Sequence, residues 1–172
     1  VNALSNVAEK PLLLDRLDKV QTTIDNNMAL KNAKDLVDNL GDAPTQSKID
    51  EAKKAVNALV PSKEKESLLE RLNDIQEDKD KEVAKERVEN LGERPTQAKL
   101  DQAKQLVNAL PDGDVKDALL KQIEQLQKQL DAINEATNAV IKAEGSGLQK
   151  DVDSAKAIVN ALTDIPEKAD LL

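Results

Sequence analysis

Val107-Asn108-Ala109-Leu110-Pro111-Asp112-Gly113-Asp114-Val115-Lys116-Asp117-Ala118-Leu119-Leu120 joins two motifs whose recurrence decides the fold. The first motif, Val-Asn-Ala-Leu, also begins at Val1, Val56 and Val159, at intervals of 56 − 1 = 55, 107 − 56 = 51 and 159 − 107 = 52 residues. The second, Lys-x-x-Leu-Leu, follows a short breaker at Lys65 to Leu69, Lys116 to Leu120 and Lys168 to Leu172. Its earliest copy places Lys10, Leu13 and Leu14 in the same positions. A period near fifty makes the chain an array of one supersecondary unit.

Upstream of Val-Asn-Ala-Leu, each copy opens on a breaker. Gly41-Asp42-Ala43-Pro44-Thr45-Gln46 has its counterpart in Gly92-Glu93-Arg94-Pro95-Thr96-Gln97, and a degenerate third form in Gly145-Ser146-Gly147-Leu148-Gln149. From there the apolar positions Ile49, Ala52, Val56, Leu59 and Leu100, Ala103, Val107, Leu110 advance by 3, 4 and 3 residues. That spacing is one face of an α-helix of about four turns. Proline near the first turn, and Ser146 with Gln149 three residues later, are helix-start signals.

Downstream, the stripe Leu119, Ile123, Leu126, Leu130, Ile133, Thr137, Val140 alternates steps of 4 and 3, with no Gly or Pro from Val115 to Glu144. One helix of about 30 residues would span roughly 45 Å, twice the short helix. A short helix then covers only half of each long neighbour. The predicted architecture is all-α: tandem antiparallel three-helix bundles that share long continuous helices, a spectrin-like rod. The expected organisation is a leading partial repeat and long helix over 1–40. Repeat 1 covers 41–91 (short helix 45–59, long helix 63–91), and repeat 2 covers 92–144 (short helix 96–110, long helix 114–143). A truncated repeat 3 covers 145–172, with a short helix over 148–162. The charged run Glu77-Asp78-Lys79-Asp80-Lys81-Glu82 falls where the third long segment carries Leu130 and Ile133, and is read as a solvated junction between bundles.

Composition removes most chemistry. The 172 residues include no histidine, cysteine, phenylalanine, tyrosine or tryptophan. Histidine acid–base catalysis, thiol nucleophiles and Ser-His triads are excluded, as are Cys/His metal sites. Aromatic stacking platforms for bases or sugars are missing, and a net charge of −8 opposes nucleic-acid binding. No enzymatic activity, cofactor or metal is expected. No apolar run approaches the ~18 residues that span a bilayer.

The residues singled out are therefore structural. Asn2, Asn57, Asn108 and Asn160 recur two places before the end of a short helix, where asparagine is a poor helix former. A hydrogen bond to the turn or to a neighbouring carbonyl is the expected reason. Leu59, Leu110 and Leu162 close the same motif. Arg16 and Arg71 are equivalent, and Gln122 replaces them in the third copy, so they are read as flanks of the core. Asp112-Gly113-Asp114 lacks the alternating oxygen ligands of a calcium loop, and Asp114 is read as a helix N-cap.

Val-Asn-Ala-Leu-Pro followed by Lys-x-x-Leu-Leu-x-Arg-Leu resembles the helical regions of Gram-positive surface-layer proteins of the SbsC type and kindred cell-wall-attached proteins. The resemblance extends over almost the whole chain. It implies an extracellular triple-helical stalk on a bacterial cell surface, spacing neighbouring domains of a larger protein. The alternative it implies is an adhesin-like module that binds a cell-wall polymer or an envelope or host protein. Because Leu13, Leu17, Val20 and Ile24 lack the short helix that would cover them, weak head-to-tail self-association is also expected.

Overall fold

The computed structural model describes residues 9–92 and 95–162. Among them are six α-helices and no strand: α1 Lys10–Asp38, α2 Gln46–Asn57, α3 Lys63–Glu89, α4 Gln97–Asn108, α5 Asp114–Ser146 and α6 Gln149–Ala161. Long helices of 29, 27 and 33 residues alternate with short ones of 12, 12 and 13. The protein is all-α, and neighbouring helices pack as bundles. The chain divides into two compact units, Val1–Lys79 and Asp80–Leu172.

In the first unit the C-terminal half of α1, the whole of α2 and the N-terminal half of α3 close on one core. Ala33, Val37 and Leu40 meet Ile49, Ala52, Val56 and Leu59, and Leu68 and Leu72 complete it. These are the helical-spaced apolar positions, and each large aliphatic buried contributes about 1.5–3 kcal/mol. Polar bonds fix the direction of the helices. Gln46, at the start of α2, bonds Gln76 far along α3, while Lys65, at the start of α3, bonds carbonyls at the end of α2. α2 and α3 are therefore antiparallel. Arg71 of α3 also reaches Asp38 of α1 at 2.9 Å.

The second unit repeats the arrangement one period later. Ala84, Val88 and Leu91 from α3 pack with Leu100, Ala103, Val107 and Leu110 of α4 and with Leu119 and Ile123 of α5. Farther along α5 a smaller core gathers Ala136 with Val159 and Leu162, flanked by half-buried Ala132, Val140 and Ile158. α5 is one unbroken helix across both of these cores. α3 likewise supplies Leu68 and Leu72 to the first unit's core and Ala84 and Val88 to the second's.

The connections explain where the long helices stop. After buried Leu40 and Leu91, Gly41 and Gly92 both adopt φ +68°, the left-handed conformation that a side chain resists. Pro44 and Pro95 are buried behind them. In the third copy the position after Ala143 is Glu144, so that stop is missing. The helix runs on through Gly145 to Ser146 and ends at Gly147, whose φ is +61°. This corrects two expectations from the sequence. The long helix does not close at residue 143, and Ser146 with Gln149 does not form a capping box for α6. Ser146 is the last residue of α5, and Leu148 occupies the N-cap of α6. Asp114 is corrected as well. It is the first helical residue of α5 behind Gly113, so it acts with Asp117 as first-turn negative charge rather than as the cap.

Candidate functional site

The feature that recurs in both units is the junction between a short helix and the following long one. At the end of α2 the last turn tightens, with the Leu59 amide donating to the Val56 carbonyl at 3.1 Å. The Leu110 amide does the same to Val107, and the Leu162 amide to Val159, both at 3.1 Å. The carbonyls left over at a helix C-terminus need donors and favour positive charge. Lysine supplies both. The Lys65 ammonium donates to the carbonyls of Asn57 and Leu59, each at 2.7 Å. Its counterpart Lys116 donates to Leu110 at 2.9 Å and to the Asp112 carboxylate at 3.0 Å. The Lys of Lys-x-x-Leu-Leu is thus a cap supplied by the next helix.

The lysine contact reassigns Asn57 and Asn108. Asn57 and Asn108 are exposed, and among the described residues neither side chain makes a hydrogen bond to the turn. The expected amide contact is replaced by the lysine contact, which takes the Asn57 backbone carbonyl instead. Asn160 is exposed as well, and Asn2 lies outside the described residues. Leu59, Leu110 and Leu162 are buried, at 7, 4 and 7% exposure, so the leucine is the core contact of the motif.

A second recurring bond ties the other end of the short helix to the long one. Gln46 and Gln76 exchange amide hydrogen bonds of 2.8 and 3.0 Å, and Gln97 and Gln127 exchange bonds of 2.9 and 2.8 Å. Each partner lies 30 residues downstream, 76 − 46 and 127 − 97. The first glutamine of each pair also holds the aspartate one turn on, Asp50 or Asp101. Reciprocal amides satisfy a donor and an acceptor on both sides, so the pair sets the register of the two helices. Sequence reasoning passed over these glutamines because a polar residue at a helix start reads as solvated. The constant spacing of 30 is the signal that would have found them.

The third copy differs at its helix start. Asp151 is buried at 7% exposure and meets the Lys142 ammonium at 3.2 Å. A hydrogen bond from Ser146, then one from Lys142, holds its carboxyl below the usual 3.8, against the opposing effect of burial. A carboxylate depressed in this way stabilises the fold above its unfolded pKa, and that stability is lost as pH falls through the folded value. Asp151→Asn is therefore expected to lower the melting temperature of the second unit at neutral pH, with the difference vanishing in strong acid. A carboxyl titration followed by carbon NMR, placing Asp151 at or above 3.8, would contradict this.

A shallow groove between α4 and α5 is lined by Asp101, Lys104, Glu124 and Asp131, with Leu100 and Ile123 at its floor. Among the described residues no group of three His, Cys, Asp or Glu side chains could hold a metal ion. No helix among them is long and apolar enough to cross a membrane.

Comparison with known proteins adds one likeness. Residues 79–132 match the family described as pesticidal crystal protein Cry1Aa, domain IV. The matched segment runs from the C-terminal half of α3 through α4 into α5, which are the elements around the core of Leu100, Val107 and Ile123. It is therefore similar to that domain over a single helical bundle, and the family it names is not the surface-layer one. No curated protein and no solved structure matches the chain.

Proposed function

We propose that the chain is a non-enzymatic spacer, a helical stalk segment of a larger bacterial surface or surface-layer protein, extracellular and attached to the cell wall. The observation that carries this reading is what recurs from bundle to bundle. The lysine cap, the glutamine pair and the buried Leu and Val positions return at matching places, and all of them join one helix to the next. Repetition of these joints favours a chain built for length. The likeness to a numbered domain of a pesticidal crystal protein fits a module built into a multidomain chain. The resemblance of Val-Asn-Ala-Leu-Pro and Lys-x-x-Leu-Leu to surface-layer helical regions supports the cell-surface setting.

A spacer has to be long. A spacer that set three bundles of about 15 residues per helix end to end, with a leading half-helix, would be roughly 80–100 Å long, at 1.5 Å rise per residue and roughly 22 Å per bundle. Small-angle scattering is expected to return that maximum dimension. A globule near 45 Å would end the spacer reading. The second reading, an adhesin-like binder of an envelope protein, host protein or wall polymer, draws on the exposed apolar side chains of α1. Capture of one defined partner from envelope extract or serum by the purified chain would favour it.

A further inference from the structure

We infer that the Asp112–Gly113 link is a site of spontaneous modification, where aspartate isomerises to isoaspartate and lengthens the connection between α4 and α5. The inference stands on the geometry of that connection and does not depend on the spacer role.

Such a reaction needs an aspartyl carboxyl beside a main-chain nitrogen free to attack it. The five glycines follow Leu40, Leu91, Asp112, Glu144 and Ser146, so Asp112–Gly113 is the one Asp-Gly or Asn-Gly pair in the sequence. Inside a helix the next amide already donates to a carbonyl four residues back, which removes it as a nucleophile. Gly113 lies outside both helices, between buried Leu110 and Asp114, the first residue of α5. Its carbonyl accepts from the Asp117 amide at 3.1 Å, whereas its own N–H donates to no group among the described residues. The Asp112 side chain is fully exposed, and Lys116 engages one of its oxygens at 3.0 Å. An ion pair with one partner in open water restrains it weakly.

The backbone keeps the nitrogen uncovered. Gly113 has φ +154° and ψ 175°, a region closed to nearly all residues with a side chain, so this connection retains a glycine. Apart from its chain neighbours, no atom lies within 4 Å of the place a Cβ would take. Asp42 is also an exposed loop aspartate, but the residue after it is Ala43, whose methyl group screens the amide.

The Gly113 nitrogen bonds to Cγ of Asp112, and its proton leaves with the carboxyl hydroxyl as water, closing a five-membered succinimide. Water then breaks one of the two ring C–N bonds. Cleavage at Cγ restores aspartate. Cleavage at the main-chain carbonyl carbon leaves Gly113 attached through Cγ and frees the α-carboxylate. One water is lost and one gained, so no oxidant or further reactant takes part. The backbone gains a methylene where Lys116 holds both the Leu110 carbonyl and the Asp112 carboxylate. Isomerisation therefore displaces one of the two groups that this lysine ties together. The equivalent breaker of the first unit, Val60-Pro61-Ser62, has no aspartate, so the change is confined to the second junction.

The test incubates the whole chain at neutral pH in water enriched in heavy oxygen, then cleaves it with trypsin after Lys104 and Lys116. The segment 105–116 should split with time into two chromatographic forms, the new one carrying heavy oxygen that fragmentation places at residue 112. Asp112→Glu, an exposed change that would need a six-membered ring, should slow labelling at least about tenfold, equivalent to a barrier higher by about 1.4 kcal/mol. In the separated isoaspartyl protein the Leu110 amide, which donates to Val107, should exchange faster while that of Ile49 is unchanged. A segment 105–116 that stays single and unlabelled would overturn the inference, as would equal labelling at Asp42. Unchanged exchange at Leu110 would overturn the effect on the junction.

Discussion

Replacing Leu72 with Ala is expected to lower the stability of the first unit by about 2–5 kcal/mol, while Leu17→Ala costs within about 0.5 kcal/mol. The two leucines hold the same place in the repeated motif, seven residues after Lys65 and Lys10. The motif by itself ranks them equally. Burial separates them, because Leu72 is completely enclosed by α1, α2 and α3 and Leu17 is 51% exposed. Removing the Leu72 side chain loses its transfer free energy and leaves a cavity between three helices that relax only in part. Removing that of Leu17 loses contacts with water on one side. Urea unfolding of the two variants measures the difference, and equal midpoints would mean that Leu17 has a cover of its own in solution.

That pair of residues also shows which part of the fold the sequence carries. Helix type and alternation follow from the spacing of Ile49, Ala52, Val56 and Leu59 and of the long stripe from Leu119 onward, because burial on one face imposes a period that composition cannot hide. All of those short-helix positions are buried as that period requires. What the spacing does not carry is the difference between equivalent positions, since exposure at Leu17 depends on what stands opposite. Helix ends were legible where glycine marks them, at Gly41 and Gly92. The end of α5 is less legible, because Glu144 follows Ala143 where glycine follows Leu40 and Leu91, and the helix runs on to Ser146 before the left-handed Gly147.

The candidate junction was harder to read. Asn57 and Asn108 repeat at one position of the motif, but repetition marks a position and does not assign its bond. The working donors were Lys65 and Lys116, which an apolar-pattern search classes as surface charge. Their role emerges only once the antiparallel packing brings the start of one helix beside the end of another. The glutamine pairs share that property, since 30 residues of chain separate partners that touch. Polar contacts across a helix turn depend on tertiary placement, and hydrophobic period alone does not specify it.

Lys65→Met is the second large change expected. The substitution keeps most of the apolar stem and removes the ammonium that donates to the Asn57 and Leu59 carbonyls at 2.7 Å each. Hydrogen bonds from a charged donor contribute about 1.5–3 kcal/mol, and water can reach the half-buried junction, so a loss of about 1–2 kcal/mol is expected. The charge also faces the negative end of the α2 dipole, a contribution that salt screens. The cost of Lys65→Met should therefore shrink as ionic strength rises, while that of Leu72→Ala should not. Lys116→Met should behave likewise in the second unit, where the side chain is 17% exposed and bonded to both Leu110 and Asp112. Amide hydrogen exchange gives the local readout. Leu59 and Ala58, whose amides close the last turn of α2, should lose protection in Lys65→Met before the core amides of Ile49 and Ala52 do. Unchanged protection at the end of α2 would show that the carbonyls are satisfied without the lysine, and that the repeated Lys-x-x-Leu-Leu lysine has another role.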